Sequence, residues 1–269
     1  MSFNYEQSLW GRGSATPLWS DPTSFRLRQA LSALRLFPAG ARVLEVGCGA
    51  GQFIRGIKKL RPELDCHGCD ISVKAIDSAK GYADSVAYAI SSEQFLYENN
   101  FFDAVLIFDV LEHVENPAAL LAEMSRVLKP GGIAYCFVPC EGDVLSLWHL
   151  LEKLHLKRDL TKKHAGHINY FSRQSLLALI SSHFSVISLR YSEHLLGQII
   201  GVVAFFLMDY AAKKRGLAQI NNETYFRGQS SGPFKLIKII VNSLIYLESV
   251  IFSRVPSPNV HVTLCKNKL

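Results

Sequence analysis

From residue 40 onward, short apolar runs alternate with segments whose apolar positions recur every three or four residues. RVLEVG (42–47), DCHGCDI (65–71), SVAYAI (85–90), FDAVLIFDV (102–110) and IAYCFVP (133–139) read as strands, whereas 51–60, 73–83 and 117–128 carry helical spacing. The last of these helices stops at LKPGG, and an earlier one, Ser24 to Leu36, stops at FPAG. Strands separated by helix-sized segments imply right-handed parallel crossovers, so the first 140 residues predict an open, doubly wound α/β sheet. Beyond Pro139 the pattern loosens. It gives a basic, Leu-rich helix at 144–157, a loop KKHAGHINYFS (162–172), a helix at 173–183 with Ser172 as its N-cap, and strands SVISLRY (185–191) and VHVTLCK (260–266). Roughly sixty residues separate those two strands, far more than an ordinary connection needs.

With 269 residues and 49% hydrophobic positions, the chain can bury a full core as one large domain or a domain with an appendage. Only 19% of residues are charged, and the mean hydropathy is +0.14, so some apolar surface should meet a protein or a lipid. The net charge of +6 is concentrated in runs such as KLHLKRDLTKKH (153–164) and AKKRG (212–216). No zinc spacing, basic zipper or RNP-like stretch accompanies them, so nucleic acid is not an expected partner. The six cysteines fall mostly in predicted strands, which suits buried reduced thiols in the cytoplasm. The N-terminus lacks a basic start followed by an apolar core, so no secretory signal is expected.

The stretch VLEVGCGAGQF (43–53) places Gly47, Gly49 and Gly51 where the first strand turns into a helix, the position from which doubly wound sheets bind ligands. Glycines there permit positive φ and close approach of the backbone. The spacing is E-x-G-x-G-x-G rather than G-x-G-x-x-G, and Glu45 would repel a pyrophosphate while attracting an ammonium group. A cationic, amino-acid-bearing ligand is favoured over a nicotinamide dinucleotide. Asp70, ending the second strand, is placed to accept hydrogen bonds from both hydroxyls of a ribose.

At these residues the chain resembles class I S-adenosylmethionine-dependent methyltransferases. VLEVGCGAGQF is similar to their first motif, GCDIS to the second, FDAVLIFDVLEHVENP to the fourth-strand motif, and EMSRVLKPGGIAY to the helix and strand that follow. The resemblance covers residues 40 to 140 closely and extends more weakly to 192. It implies an α/β fold with a doubly wound, mostly parallel, seven-stranded Rossmann-like sheet and a helical insertion before the last strand. It also implies S-adenosylmethionine as cofactor. Residues 1–39 would be a helical lead covering the site, 40–194 with 256–269 the Rossmann-like domain, and 195–255 the insertion. Carried over residue by residue, Gly47, Cys48, Gly49 and Gly51 would line the methionine part of the cofactor and Glu45 would reach its amino group. Asp70 would hold ribose, Ile71 would pack on adenine, and Phe108 or Asp109 would offer backbone to the methionine end. Many relatives place an aspartate after the third strand to meet the adenine amino group. This chain has Ser91 and Ser92 there, whose hydroxyls can accept the same bond.

Methyl transfer from a sulfonium is an in-line displacement, so the protein must align the acceptor and take the proton of a hydroxyl. His113, His164 and His167 are candidate bases because histidine titrates near neutrality. His113 and His167 are the preferred pair, the latter in the HAGHINYFS loop, which either closes over the cofactor pocket or caps the sheet edge. Asp109, Glu112 and His113 lie at i, i+3 and i+4, so one helical turn would gather them around a divalent metal. Similarity to ubiquinone-biosynthesis O-methyltransferases implies such an ion, yet LEHV also serves as a turn cap in relatives that need none, and a metal is not expected.

Within the insertion, IIGVVAFFLM (199–208) is shorter than the roughly 20 residues of a membrane span. The following FKLIKIIVNSLIYLESVIFSR (234–254) keeps Lys235, Lys238, Asn242, Ser249 and Ser253 near one face and a wide apolar face opposite. Such helices suit an interfacial membrane anchor, a homodimer interface or a lid. The expectation is a cytoplasmic O-methyltransferase, peripherally attached to the inner face of a membrane, acting on a small or lipid-linked acceptor of isoprenoid or glycolipid type. The alternative is a noncatalytic S-adenosylmethionine-binding protein that recruits a partner through 195–255.

Overall fold

The computed structural model describes residues 9–17, 21, 23–82, 84–91, 94–156, 160–218, 220 and 233–267. Seven strands form one sheet: β1 (Arg42–Val46), β2 (Asp65–Asp70), β3 (Ala87–Ile90), β4 (Phe102–Phe108), β5 (Leu128–Pro139), β6 (Phe184–Ser192) and β7 (Asn259–Lys266). Their order is β3-β2-β1-β4-β5-β7-β6, parallel from β3 to β5, with β7 antiparallel to both neighbours. The predicted doubly wound sheet is therefore present. Its order reverses between β1 and β4, which opens a crevice at the carboxyl ends of those strands.

The helices begin where the sequence supplies caps. After α1 (Ser24–Leu34), α2 (Gln52–Leu60) buries Ile54 and Ile57 against the sheet and ends on Lys58 and Lys59, which complement its dipole. The Ser72 hydroxyl accepts from Ala75 N at 3.1 Å to start α3 (Val73–Lys80). Asn116 accepts from Ala119 N at 3.0 Å, with Pro117 opening α4 (Pro117–Val127). The predicted helix at 144–157 is shorter, α5 (Leu147–Lys153), because the Ser146 side chain caps its start and His155, at φ +56°, ends it; α6 (Leu160–His164) follows beyond the predicted end. Ser172 and Ser175 form a reciprocal capping box for α7 (Arg173–Ile180), as its sequence foretold.

Two apolar clusters, one on each face of the sheet, make the core: Leu44, Val105, Ile107 and Met124 on one side, Val43, Leu106, Ile54 and Phe137 on the other. Each such side chain, fully buried, contributes roughly 1.5–3 kcal/mol. All six cysteines are free thiols, five of them buried.

The long connection is a hairpin loop made of helices. Ser192 pairs with Asn259 at the β6–β7 end, and Ser257 Oγ donates to Ser192 O at 2.8 Å, so both ends of the insertion are held together. Among the described residues its helices are α8 (Leu195–Lys214) and α9 (Pro233–Ile251), each about 30 Å long.

Candidate active site

The bend after β1 holds Gly47, Gly49 and Gly51 at φ of +70°, +54° and +80°, a conformation that side-chain-bearing residues adopt only under strain. Cys48, buried beside them, donates its amide to Cys69 O at 3.0 Å. The bend is also crowded. A Cβ at Gly49 would lie 2.7 Å from the carbonyl oxygen of Trp10, and that oxygen accepts from Ala50 N at 2.8 Å. The N-terminal segment thus runs over the glycine bend, and Arg55 tethers it through the carbonyls of Gly11 and Gly13 at 3.3 and 3.1 Å.

Asp70 stands at the end of β2. One carboxylate oxygen accepts from Gly49 N at 2.8 Å and the other from Ser72 N at 2.9 Å, so the aspartate ties the bend to the start of α3. Ile71, next along, leaves an apolar side chain 59% exposed. Ser91 is buried, its amide on Asp70 O and its hydroxyl donating to Gln94 O at 3.1 Å. Ser92 lies outside the described residues. Glu45 is buried beneath the bend, where its carboxylate accepts from Ile54 N at 2.7 Å. Burial, with the nearby Asp70 charge, raises its pKa well above the ordinary carboxylate value, and the structure commits it to the first turn of α2. Phe108 is packed against Phe53, with stacked rings 4.0 Å apart.

Beyond β4 the chain does not form the helical turn expected for Asp109, Glu112 and His113. Asp109 takes φ +52°, its amide bonds to Phe137 O at 3.2 Å, and its carboxylate pairs with Arg26 of α1. The Arg26 guanidinium lies 4.0 Å from the Phe137 ring centroid and reaches Glu193 at 3.4 Å. The HAGHINYFS loop instead docks on LEHV. Glu112 O accepts from Ile168 N at 2.8 Å and Asn169 N at 3.0 Å, while Asn169 Nδ2 donates to Leu111 O and Val114 O.

This docking brings His113 and His167 into edge-to-face contact, with centroids 4.9 Å apart. His113 Nδ1 lies 3.2 Å from Gly166 O, and a carbonyl can only accept, so Nδ1 carries the proton and Nε2 presents a lone pair. Burial, with the neighbouring His167 cation, brings His113 down to about 3, so its ring is neutral at physiological pH. His167 Nδ1 meets Glu141 Oε1 at 3.0 Å, and Thr161 Oγ1 donates to the other Glu141 oxygen at 2.9 Å. Burial disfavours the imidazolium, but Glu141, Glu112 and Asp109 outweigh it and lift His167 to about 9. Glu112 is wholly buried, neither of its oxygens has a hydrogen-bond partner, and Oε1 lies 3.9 Å from His113 Nε2. Burial, reinforced by Asp109, raises its carboxyl to about 8. Ligand atoms of Glu112, His113 and His167 come within 4.8 Å of one another, so His167 stands in this cluster where the sequence had placed Asp109.

The third histidine candidate is elsewhere. His164 is buried between Asp209 of α8, at 3.4 Å, and Ile220 N, at 3.3 Å, where it ties α6 to the insertion. Two site residues escaped the sequence reading. Glu141 lies two residues beyond the end of β5, near the carboxyl ends from which these sheets hold ligands, so a signal existed. Arg26 gave none, because its role depends on α1 crossing the ends of strands far along the chain.

The methyltransferase domain family matches residues 22–189, and the chain belongs to that family. It is 34% identical over 134 residues to a ubiquinone biosynthesis O-methyltransferase of Dechloromonas aromatica, covering 45% of this chain and 57% of that one. It is also 34% identical over 117 residues to a methyltransferase of Schizosaccharomyces pombe, covering 39% and 41%. The chain spans about 40% to 57% of the length of these curated relatives. Among solved structures, the [4+2]-cyclase SpnF superposes with a TM-score of 0.56 at 18% identity over 96% of this chain and 86% of that one. A geranyl diphosphate methyltransferase, solved with GPP and sinefungin, gives 0.54 at 14% identity over 91% and 78%. These likenesses establish the fold, and the presence of a cyclase among them shows why the reaction must be argued from the site.

The residues present fit the family's cofactor, S-adenosylmethionine. The glycine bend takes three positive φ values, Asp70 sets a carboxylate at its edge through Gly49 N, and Ile71 next to it leaves an exposed apolar surface.

Proposed function

We propose that this protein transfers the methyl group of S-adenosylmethionine to an oxygen of a small or lipid-linked acceptor. The observation that carries the reading is the docking of the HAGHINYFS loop on LEHV, which sets His113, His167 and the unpartnered Glu112 carboxyl side by side beyond β4. When bound, the cofactor supplies a methyl group already activated by a positively charged sulfur.

The chain's own residues supply the proton handling. The hydroxyl proton of the acceptor passes to His113 Nε2, whose orientation the Gly166 carbonyl fixes through Nδ1. That leaves the oxygen lone pair to form the new C–O bond as the bond from carbon to sulfur breaks. An imidazole held near 3 is a poor base on its own. The Glu112 carboxylate, 3.9 Å away, neutralises the imidazolium as it forms, which is why ionised Glu112 is required. His167, kept cationic by Glu141, offers a donor to the acceptor and holds its oxygen in place. Asp70 and Ile71 hold the nucleoside end of the cofactor, and Glu45 keeps the bend in shape from beneath.

An oxygen acceptor is supported by partial similarity to ubiquinone biosynthesis O-methyltransferases, and a lipid-linked one by the apolar insertion joined to the site. The test is incubation of the full chain with isotopically labelled methyl donor and lipid-soluble or aqueous cell extract, followed by mass spectrometry of labelled products. The expected result is a labelled methyl ether, lost in His113→Ala with donor affinity unchanged. Donor binding with no labelled product in any fraction supports the noncatalytic alternative and refutes the reading.

A further inference from the structure

The two insertion helices are built with their polar sides inward. On α9, Asn242, Tyr246 and Ser249 face the domain: Tyr246 accepts from Arg28 at 3.0 Å, and buried Ser249 accepts from Glu193 N at 3.0 Å. The opposite stripe, Leu236, Ile240, Leu244, Leu247 and Ile251, is between 49% and 62% exposed. Helix α8 repeats the arrangement. Gln198 accepts from Leu147 N at 2.8 Å, and buried Asp209 pairs with Lys163 at 2.8 Å and Lys213 at 2.9 Å. Its outward stripe is Leu195, Ile199, Val203, Leu207 and Tyr210, between 42% and 67% exposed. Each stripe repeats every three or four residues, which keeps it on one side of its helix. A water-exposed surface helix carries the reverse pattern.

Charge identifies the occupant. The two acidic residues of these helices are turned inward, Asp209 as described and Glu248 onto the amides of Leu196 and Gly197 at 2.8 and 3.2 Å. The outward side is bordered by Lys214 and Arg215, both exposed at the end of α8. An apolar face whose rim, among the described residues, carries cations is complementary to an anionic lipid surface.

The same contacts decide how α8 lies. By length and composition it is able to cross a bilayer, with a mean hydropathy of 1.8 and only 22% of the window buried. Yet it is fastened to the domain along its whole length: Gln198 to α5, Phe205 edge-on to Trp148 at 5.4 Å, and Asp209 to α6. We propose that α8 and α9 form one monotopic docking face that lies flat on an anionic membrane, with the outward stripes among the acyl chains and the basic rim among the headgroups. This deepens the lipid-linked reading of the acceptor and rests on it. The docked helices are fastened to the site through α6, which leads into the His167 loop, and through Glu193 and Arg26 to Asp109.

The test is flotation of the full chain with phosphatidylglycerol–phosphatidylcholine vesicles and with phosphatidylcholine vesicles. Wild type is expected to float with the anionic vesicles and less in high salt. Ile240→Glu/Leu244→Glu should abolish flotation, and Lys214→Ala/Arg215→Ala should weaken vesicle affinity roughly fivefold per residue. Circular dichroism and calorimetric binding of S-adenosylmethionine confirm that each variant is folded. Wild type remaining unbound, or the double glutamate variant floating like wild type, overturns the proposal. So does a wild-type dimer that this variant converts to monomer, since a second copy would then cover the face, and so does resistance of membrane-bound protein to alkaline carbonate, since α8 would then cross. Methyl transfer is measured on the same samples. Transfer without vesicle binding overturns docking alone, and vesicle binding without transfer overturns the proposed chemistry alone.

Discussion

Replacing Glu141 by glutamine should make the protein's stability depend on pH in a way fixed by His167. In the wild type His167 is raised from 6.5 to about 9, and the Glu141 charge and hydrogen bond are the largest influences raising it. The imidazolium is therefore stabilised by folding: the contribution is complete below pH 6.5 and is lost as pH rises through about 9. Raising His167 from 6.5 to about 9 corresponds to roughly 3 kcal/mol. Glutamine keeps an oxygen able to accept from Nδ1 and a group able to meet Thr161, so the substitution removes charge with little change of shape. Urea unfolding at pH 6 should show the variant about 2–3 kcal/mol less stable than wild type, with the gap falling below about 1 kcal/mol above pH 9.5. The His167 ring, followed by NMR, should titrate well below its wild-type value in the variant. A stability gap that does not change with pH, or a wild-type His167 titrating near 6.5, would refute the reasoning.

Other outcomes follow from the same contacts. Asp70→Ala removes a carboxylate placed for ribose, and calorimetry should show S-adenosylmethionine affinity about 10- to 100-fold weaker; equal affinity would exclude Asp70 from the site. Gly49→Ala places a Cβ 2.7 Å from Trp10 O at a φ of +54°, so thermal unfolding should register a loss of about 1–3 kcal/mol, and an unchanged melting temperature would mean that the N-terminal segment does not rest on the bend. The rate of methyl transfer should rise as Glu112 ionises through about pH 8 and fall as His167 loses its proton through about 9. Glu112→Gln should remove the rising limb, and a rising limb that persists would assign it to another group.

How far the site could be read along the chain varied from residue to residue. The glycine bend, the place of Asp70 and the cap at Ser172 were legible because they depend on neighbours within a few positions: three positive φ values in one turn favour glycine wherever the turn sits, and Ser172 caps the helix that begins beside it. The alliance of Asp109, Glu112 and His113 was legible only in part, since i, i+3 spacing brings side chains together only if the backbone is helical there. At Asp109 the chain takes a positive φ and turns its carboxylate to Arg26.

The sequence by itself determined the parallel α/β frame, the glycine bend after β1 and the presence of two apolar helices before the last strand. Those features arise from periodicity and from local backbone requirements, which a linear pattern records. Only the tertiary structure decided that His167 is charged while His113 is neutral, that His164 belongs to the insertion, and that both helices turn their apolar stripes outward. Each of these depends on which distant groups share a buried space: Glu141 beside His167, Asp209 beside His164, Glu193 beside Ser249. Burial magnifies the effect of such neighbours on charge, and no spacing along the chain encodes which of them will meet.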